Sequence, residues 1–376
     1  MKRRIYLDSA GTTRPDPDVL KTYISLLETH YANSESLYDE GSEVHRMMEK
    51  ARSAAAGLLG VSAEEVIFTS GSCESNSMAI KGVCLADRSR KHIITTPIEH
   101  SSVLNACRQM ERLFGYEITW LPVYEDGLVK AEDVRAALRP DTVLVSVMYV
   151  NNETGALNPI DEIKTIVRKE SHAYFHCDMT QAAGKIPLSF ADIDLASISA
   201  HKIHGLKGSG ILVKKTYVPM EPLISGGEQE FGFRGGTANA AADMVFAKTL
   251  RLALERQSAF AAHTRKLHDR LVKGLSEIDG IVINSPENGL PAVLNFSFER
   301  IPSEVMQNEL NRRGFMISAR STCEAHSNNP SYVLLAMGCS ERRASCSIRV
   351  SLSLENTEEE IDAFVQAVKE MTEHYG

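Results

Sequence analysis

Among its 376 residues the chain has one tryptophan and no apolar run long enough to make a membrane helix. Its opening residues, MKRRIYLDSAGTT, carry basic side chains, but the apolar run from Ile5 to Leu7 is too short for the core of a signal peptide. The expectation is a cytoplasmic chain with no membrane partner. Long basic runs and basic–aromatic interleaving are also missing, and the formal net charge is −8. That excludes an electrostatic nucleic-acid binder. The seven cysteines (Cys73, Cys84, Cys107, Cys177, Cys323, Cys339 and Cys346) are odd in number, scattered, and form no C-x-x-C pair. A disulfide framework and a structural zinc site are therefore not expected. His172, His176 and Cys177 come closest to a metal cluster. Strand alternation puts 172 and 176 on one face and 177 on the other, so no metal is expected there.

What is present is an alternation of strands and helices. Short apolar runs at 65–69, 91–96, 117–123, 142–150, 173–178, 195–199 and 210–215 read as buried strands. Helical stretches at 74–86, 101–113, 131–138 and 160–170 separate several of them. This predicts an α/β fold, a mainly parallel sheet covered by helices on both faces. Glycine and proline then vanish from Thr237 to Lys273, which predicts a long connecting helix. Beyond it, strands at 292–298 and 347–353 and helices near 303–313 and after Thr357 form a smaller α+β unit. The expected division is a large domain over 15–255 and a small domain made of 1–14 with 256–376.

Three segments carry candidate chemistry. In ASISAHKIHGLKGSGILV an apolar strand ends at Ser199, followed by His201, Lys202 and a glycine-punctuated turn. A lysine at the carboxyl end of a sheet strand suits a Schiff base with a phosphorylated aldehyde; an ordinary loop lysine fits the segment equally well. In AYFHCDMTQAAGK, Asp178 ends the preceding strand, where a carboxylate can hold a pyridine nitrogen protonated. In FTSGSCESNSMAI, a strand, Ser72, Cys73 and a helix start have the layout of an anion cradle.

Together with YLDSAGTT, TPIEHSSV, NNETG, GGEQEFGFRGGTAN and PSYVLLAMG…SIRVSLS, these segments closely resemble the NifS/IscS-like cysteine desulfurases and selenocysteine lyases. These are class V aminotransferase-type, fold-type I pyridoxal 5′-phosphate enzymes. The resemblance implies a large domain with a mainly parallel seven-stranded sheet, a smaller C-terminal α+β domain, and a homodimer with shared sites. It implies that Lys202 is the Schiff-base lysine, that His100 stacks on the cofactor ring, and that Asp178 pairs with the ring nitrogen. Gln181 would reach the phenolic oxygen. Ser72, Cys73, Ser199 and His201 would hold the phosphate, and Thr237 would reach the phosphate of the other subunit. Asn152 and Arg349 would bind the amino acid substrate, cysteine or selenocysteine, with Arg349 on its carboxylate. Cys323 falls where the family places its sulfur-accepting cysteine, and an acceptor protein for sulfur or selenium would follow.

Several positions depart from the family pattern. Arg320 stands for a glycine ahead of Cys323, and Glu324 and His326 follow where small residues are usual. Arg320 and His326 are therefore candidate substrate-side residues. Cys73 replaces a threonine, Tyr38 a histidine, and SAGTT stands for NAATT. The expectation is a cysteine desulfurase that forms alanine and a Cys323 persulfide. A selenocysteine lyase and a non-catalytic relative are the alternatives.

Overall fold

The computed structural model describes residues 4–319 and 329–375. Its centre is a seven-stranded sheet in the spatial order Val66–Thr69, Gly210–Lys214, Leu195–Ser199, Tyr174–Asp178, Thr142–Ser146, His92–Thr95, Glu117–Trp120. Gly210–Lys214 runs antiparallel to both neighbours; the other pairings are parallel. The inner strands are buried on both faces, which is why they read as continuous apolar runs. Polar exceptions on these strands are paired across the sheet. His176 Nδ1 meets Ser146 Oγ at 2.8 Å and Nε2 meets Ser197 Oγ at 3.0 Å. Burial pushes the His176 pKa down to about 4, so the ring stays neutral. Among the described residues no cluster of three or more His, Cys, Asp or Glu is arranged to hold a metal ion.

A second sheet, Ser347–Ser351, Val293–Phe298 and Ile281–Ile283, is antiparallel. It shares a core with Leu7, Leu271, Phe296, Phe315 and Phe364. The N-terminus joins this body: Ile5–Tyr6 pairs in parallel with Phe315–Met316, and Ser351 N–H donates to Leu7 O at 2.8 Å. Asp8, Ser9 and Ala10 stay bonded to Ser351 of this sheet, while Ala10, Gly11 and Thr13 reach Gln181, Lys202 and His201 beyond the strand ends of the large sheet, a placement the site depends on.

Three differences from the sequence reading have physical causes. Helices Pro17–Thr29 and Asp39–Leu59 precede the first large-sheet strand, where patterning assigned none. The first buries only Val19 and Leu26 and leaves Leu20, Ile24 and Leu27 exposed, so its apolar periodicity is blurred. The glycine-free run is two helices, Ala240–Glu255 and Gln257–Ser276, broken at Arg256. The first packs on the N-terminal helices and the second on Glu358–Tyr375, and one straight rod could not face both. The helix after Thr69 begins at Ser72 and contains a π turn, Met78–Gly82, between Ser72–Ser77 and Val83–Ala86. Among the described residues no helix is long and apolar enough to cross a membrane.

Candidate active site

A cavity of about 450 Å³ lies over the carboxyl ends of the large sheet's strands. That is the size range of cofactor pockets, at the place where open α/β sheets bind ligands. One end is formed by Ser70, Gly71, Ser72 and Cys73, where the strand Val66–Thr69 turns into a helix. Gly71 has φ +137°, and an added Cβ would sit 3.3 Å from Ser199 Oγ. A side chain there would be strained and would intrude on the cradle. Ser199 and His201 complete this end. His201 Nδ1 lies 3.1 Å from Thr12 Oγ1. Burial, then the Lys202 charge, lowers its pKa to about 4, so the imidazole is neutral at pH 7.

Asp178, the last residue of its strand, lines the same cavity. Its Oδ2 accepts from Asn76 Nδ2 at 2.8 Å and its Oδ1 from Thr180 N–H at 2.9 Å. The same Asn76 nitrogen donates to Ser102 Oγ at 2.9 Å, and Ser102 Oγ is 2.8 Å from His100 Nδ1. His100 is the N-cap of Ser101–Phe114, and its Nδ1 accepts the Ser102 N–H at 3.2 Å. With Nδ1 an acceptor, a neutral His100 carries its proton on Nε2. A continuous polar chain thus ties the carboxylate to the imidazole. Sequence reading missed Asn76 and Ser102. Asn76 stands four residues after Ser72 on one helix, and that spacing is the signal that could have placed both on the cavity side.

Lys202 Nζ is held by two backbone carbonyls, Ala10 O at 2.7 Å and Gly11 O at 2.6 Å. Gln181 Nε2 donates to the same Ala10 O at 3.0 Å. The crossing N-terminal segment therefore fixes both side chains. An added Cβ on Gly11 would lie 2.5 Å from Asp8 Oδ2, so glycine at this position lets the Asp8 carboxylate fold back closely. Asp8 Oδ1 in turn accepts from Arg349 Nη2 at 2.7 Å. Arg349 is 1% exposed on the strand Ser347–Ser351 of the smaller body, and its Nη1 donates to Asn152 O at 3.0 Å. Among the described residues, Arg349 Nε and Asn152 Oδ1 are buried without a hydrogen-bond partner, and both residues line the cavity. Buried polar atoms of this kind call for a ligand or water.

Nearly all the residues singled out in the sequence converge here: Ser72, Cys73, His100, Asn152, Asp178, Gln181, Ser199, His201, Lys202 and Arg349. Thr237 does not; it is exposed, outside this chain's cavity. Cys323, Arg320 and His326 lie outside the described residues. The donor set matches a flat aromatic aldehyde phosphate. Backbone N–H groups and hydroxyls of the Ser70–Cys73 turn, the Asp178 carboxylate and the Lys202 amine line one cavity.

The Aminotransferase class-V family model matches residues 5–364. The chain is 43% identical to a mitochondrial cysteine desulfurase of Eremothecium gossypii over 99% of its own length and 76% of that protein. It is 38% identical to the cysteine desulfurase IscS of Dictyoglomus turgidum, over 99% of this chain and 95% of that one. A solved structure described as a NifS-like protein superposes with a TM-score of 0.92 at 38% identity, covering 99% and 100% of the two chains.

Proposed function

The chain belongs to the class-V aminotransferase family, and from that premise we propose that it is a pyridoxal-phosphate-dependent cysteine desulfurase working through the residues of this cavity. The observation that carries the reading is the convergence of Lys202, Asp178, His100 and Arg349 on one cavity. When bound, the cofactor supplies an aldehyde that captures the substrate amine and a protonated ring that accepts electrons from Cα. Asp178, held by Asn76 and Thr180, keeps the ring nitrogen protonated. Ser72, Cys73, Ser199 and His201 hold the phosphate. Lys202 would hold the aldehyde end of the cofactor, and its amine is the group placed to move the proton at the substrate Cα. His100, which lines the cavity, would pack on the ring. The Cys323 thiolate then attacks the substrate sulfur: an S–S bond forms, the Cβ–S bond breaks, and Cβ takes up a proton. Cysteine plus one thiol thus yields alanine plus one persulfide, balanced without an outside oxidant.

Arg349 binds the substrate carboxylate as a planar fork, and its Nε is the buried donor left over for that purpose. Replacing Arg349 with alanine is expected to raise KM for the amino acid by about 10²-fold, the order of the roughly 3 kcal/mol lost with one partner of a buried charge pair. Arg349→Lys, which keeps charge but not the fork, should fall between. Steady-state KM and kcat for both variants check this.

The same reading includes a homodimer in which Thr237 serves the partner's phosphate; its exposure outside this chain's own cavity supports that role. It also includes the division into 15–255 and 1–14 with 256–376, supported by the two separate sheets and cores. Cytoplasmic residence and an acceptor protein for the persulfide sulfur complete it. Sulfur is favoured over selenium because the matching relatives are cysteine desulfurases. The test is direct. Purified protein is given L-cysteine or L-selenocysteine, and alanine and protein-bound persulfide are measured. Alanine and persulfide from cysteine are expected. Alanine from selenocysteine alone would overturn the sulfur assignment, and a protein with no cofactor absorbance would overturn the enzyme reading.

A further inference from the structure

Gln181 has a charged neighbour that no part of the proposed chemistry uses. After the strand Tyr174–Asp178 the chain turns repeatedly: Ala182 and Ala183 N–H donate to Met179 O, and Lys185 N–H to Ala182 O. Gly184, at φ +68°, lets these turns pack closely, since a Cβ there would lie 2.7 Å from Ala253 Cβ. The turns bring Gln181 and Lys185 to one side, and Lys185 Nζ donates to Gln181 Oε1 at 2.7 Å. Both residues are buried. Lys185 forms part of the wall between the active-site cavity, which Gln181 lines, and a smaller cavity behind it, which Lys185 itself lines.

An ammonium only donates, so it can bond only the oxygen end of the Gln181 amide. The nitrogen end is then fixed: one N–H goes to Ala10 O, and the second is left for the cavity. We infer that Lys185 is a positioning residue, which by holding the Gln181 oxygen fixes that amide with its N–H toward the phenolic oxygen of the bound cofactor. A glutamine free to flip would present either an acceptor or a donor to that oxygen. Only the donor stabilises its negative charge.

The electrostatic surroundings agree. Burial first, then the charges of Lys202 and Arg349, push the Lys185 pKa down to about 7. His201 and His204 also feel its charge, and Asp16, Arg256 and Glu355 line the smaller cavity beside it. In either protonation state the Lys185 nitrogen keeps an N–H for Gln181 Oε1, the acceptor 2.7 Å away.

The inference rests on the cofactor occupying the cavity, so the test reads the bound cofactor itself. Holoprotein absorbance is titrated against pH for wild type, Lys185→Met, Lys185→Arg, Gln181→Ala and the double variant. Loss of the N–H to the phenolic oxygen makes that oxygen a better partner for a proton on the adjacent lysine–cofactor nitrogen. The absorbance transition of Lys185→Met should therefore move up by about one pH unit. Gln181→Ala should move it likewise, the double variant should add nothing further, and Lys185→Arg should restore the wild-type position. A shift by Lys185→Met that is undiminished in the Gln181→Ala background would mean its charge acts directly, and would overturn the positioning role; so would no shift at all. If Lys185→Met fails to fold by circular dichroism, Lys185→Ala replaces it with the same expected upward shift; no shift, or one undiminished in the Gln181→Ala background, overturns the inference. Wild-type protein without a cofactor band would instead sink the underlying reading.

Discussion

Substituting Lys202 with alanine is expected to lower cysteine turnover by about 10²- to 10⁴-fold, the range associated with losing a positioned acid–base group. The structure explains why nothing nearby would replace it. Lys202 Nζ is fixed by the Ala10 and Gly11 carbonyls, at the junction of the N-terminal segment and the strand Leu195–Ser199. The next amine, Lys185, is committed to Gln181 behind the cavity wall. Lys207 lines the same cavity but lies beyond the glycine-punctuated turn. The variant should still collect cofactor through Asp178, Ser72, Ser199 and His201, though not covalently. Borohydride reduction should give a cofactor adduct at Lys202 in wild type and none in the variant, while circular dichroism stays unchanged. Turnover within tenfold of wild type would contradict the assignment.

The second large effect is expected at Cys323. Cys323→Ala should reduce sulfide and persulfide formation by about 10²-fold or more, because an attacking thiolate has no substitute of equal nucleophilicity. Cofactor absorbance and its response to added cysteine should persist, since none of the residues that hold the ring is altered. One thiol makes this a demanding comparison: Cys73 is exposed and lines the cavity. Cys84, Cys107 and Cys177 are buried, and burial raises their thiol pKa values, so they are inert. After a single turnover the persulfide should map to Cys323 by mass spectrometry, in wild type and in Cys73→Ser alike. A persulfide on Cys73, or full activity of Cys323→Ala, would reverse the roles.

Much of this protein was legible before any coordinates. The inner large-sheet strands are buried on both faces, so they appear as apolar runs bounded by turns, and the alternation with helices forces a mainly parallel sheet. The residues at the strand ends, Asp178 and Ser199 with Lys202 just beyond, follow from that alternation, because a strand end is a local feature of sequence. Helices whose packed faces are narrow, such as Pro17–Thr29, were not legible, and neither was the break at Arg256, which two separate cores impose.

What only the tertiary structure decided is the set of contacts between segments far apart in the chain. The Ala10 carbonyl that serves both Lys202 and Gln181, the Asp8–Arg349 pair, and the Asp178–Asn76 and Asn76–Ser102 bonds join residues separated by 26 to 341 positions. No periodicity or local motif encodes them. Sequence determined which side chains reach the strand ends, because local conformation is set by near neighbours. The fold decided what Gln181 is bonded to, and so which end of its amide is left for the chemistry, because a hydrogen bond's direction depends on a partner that only packing supplies.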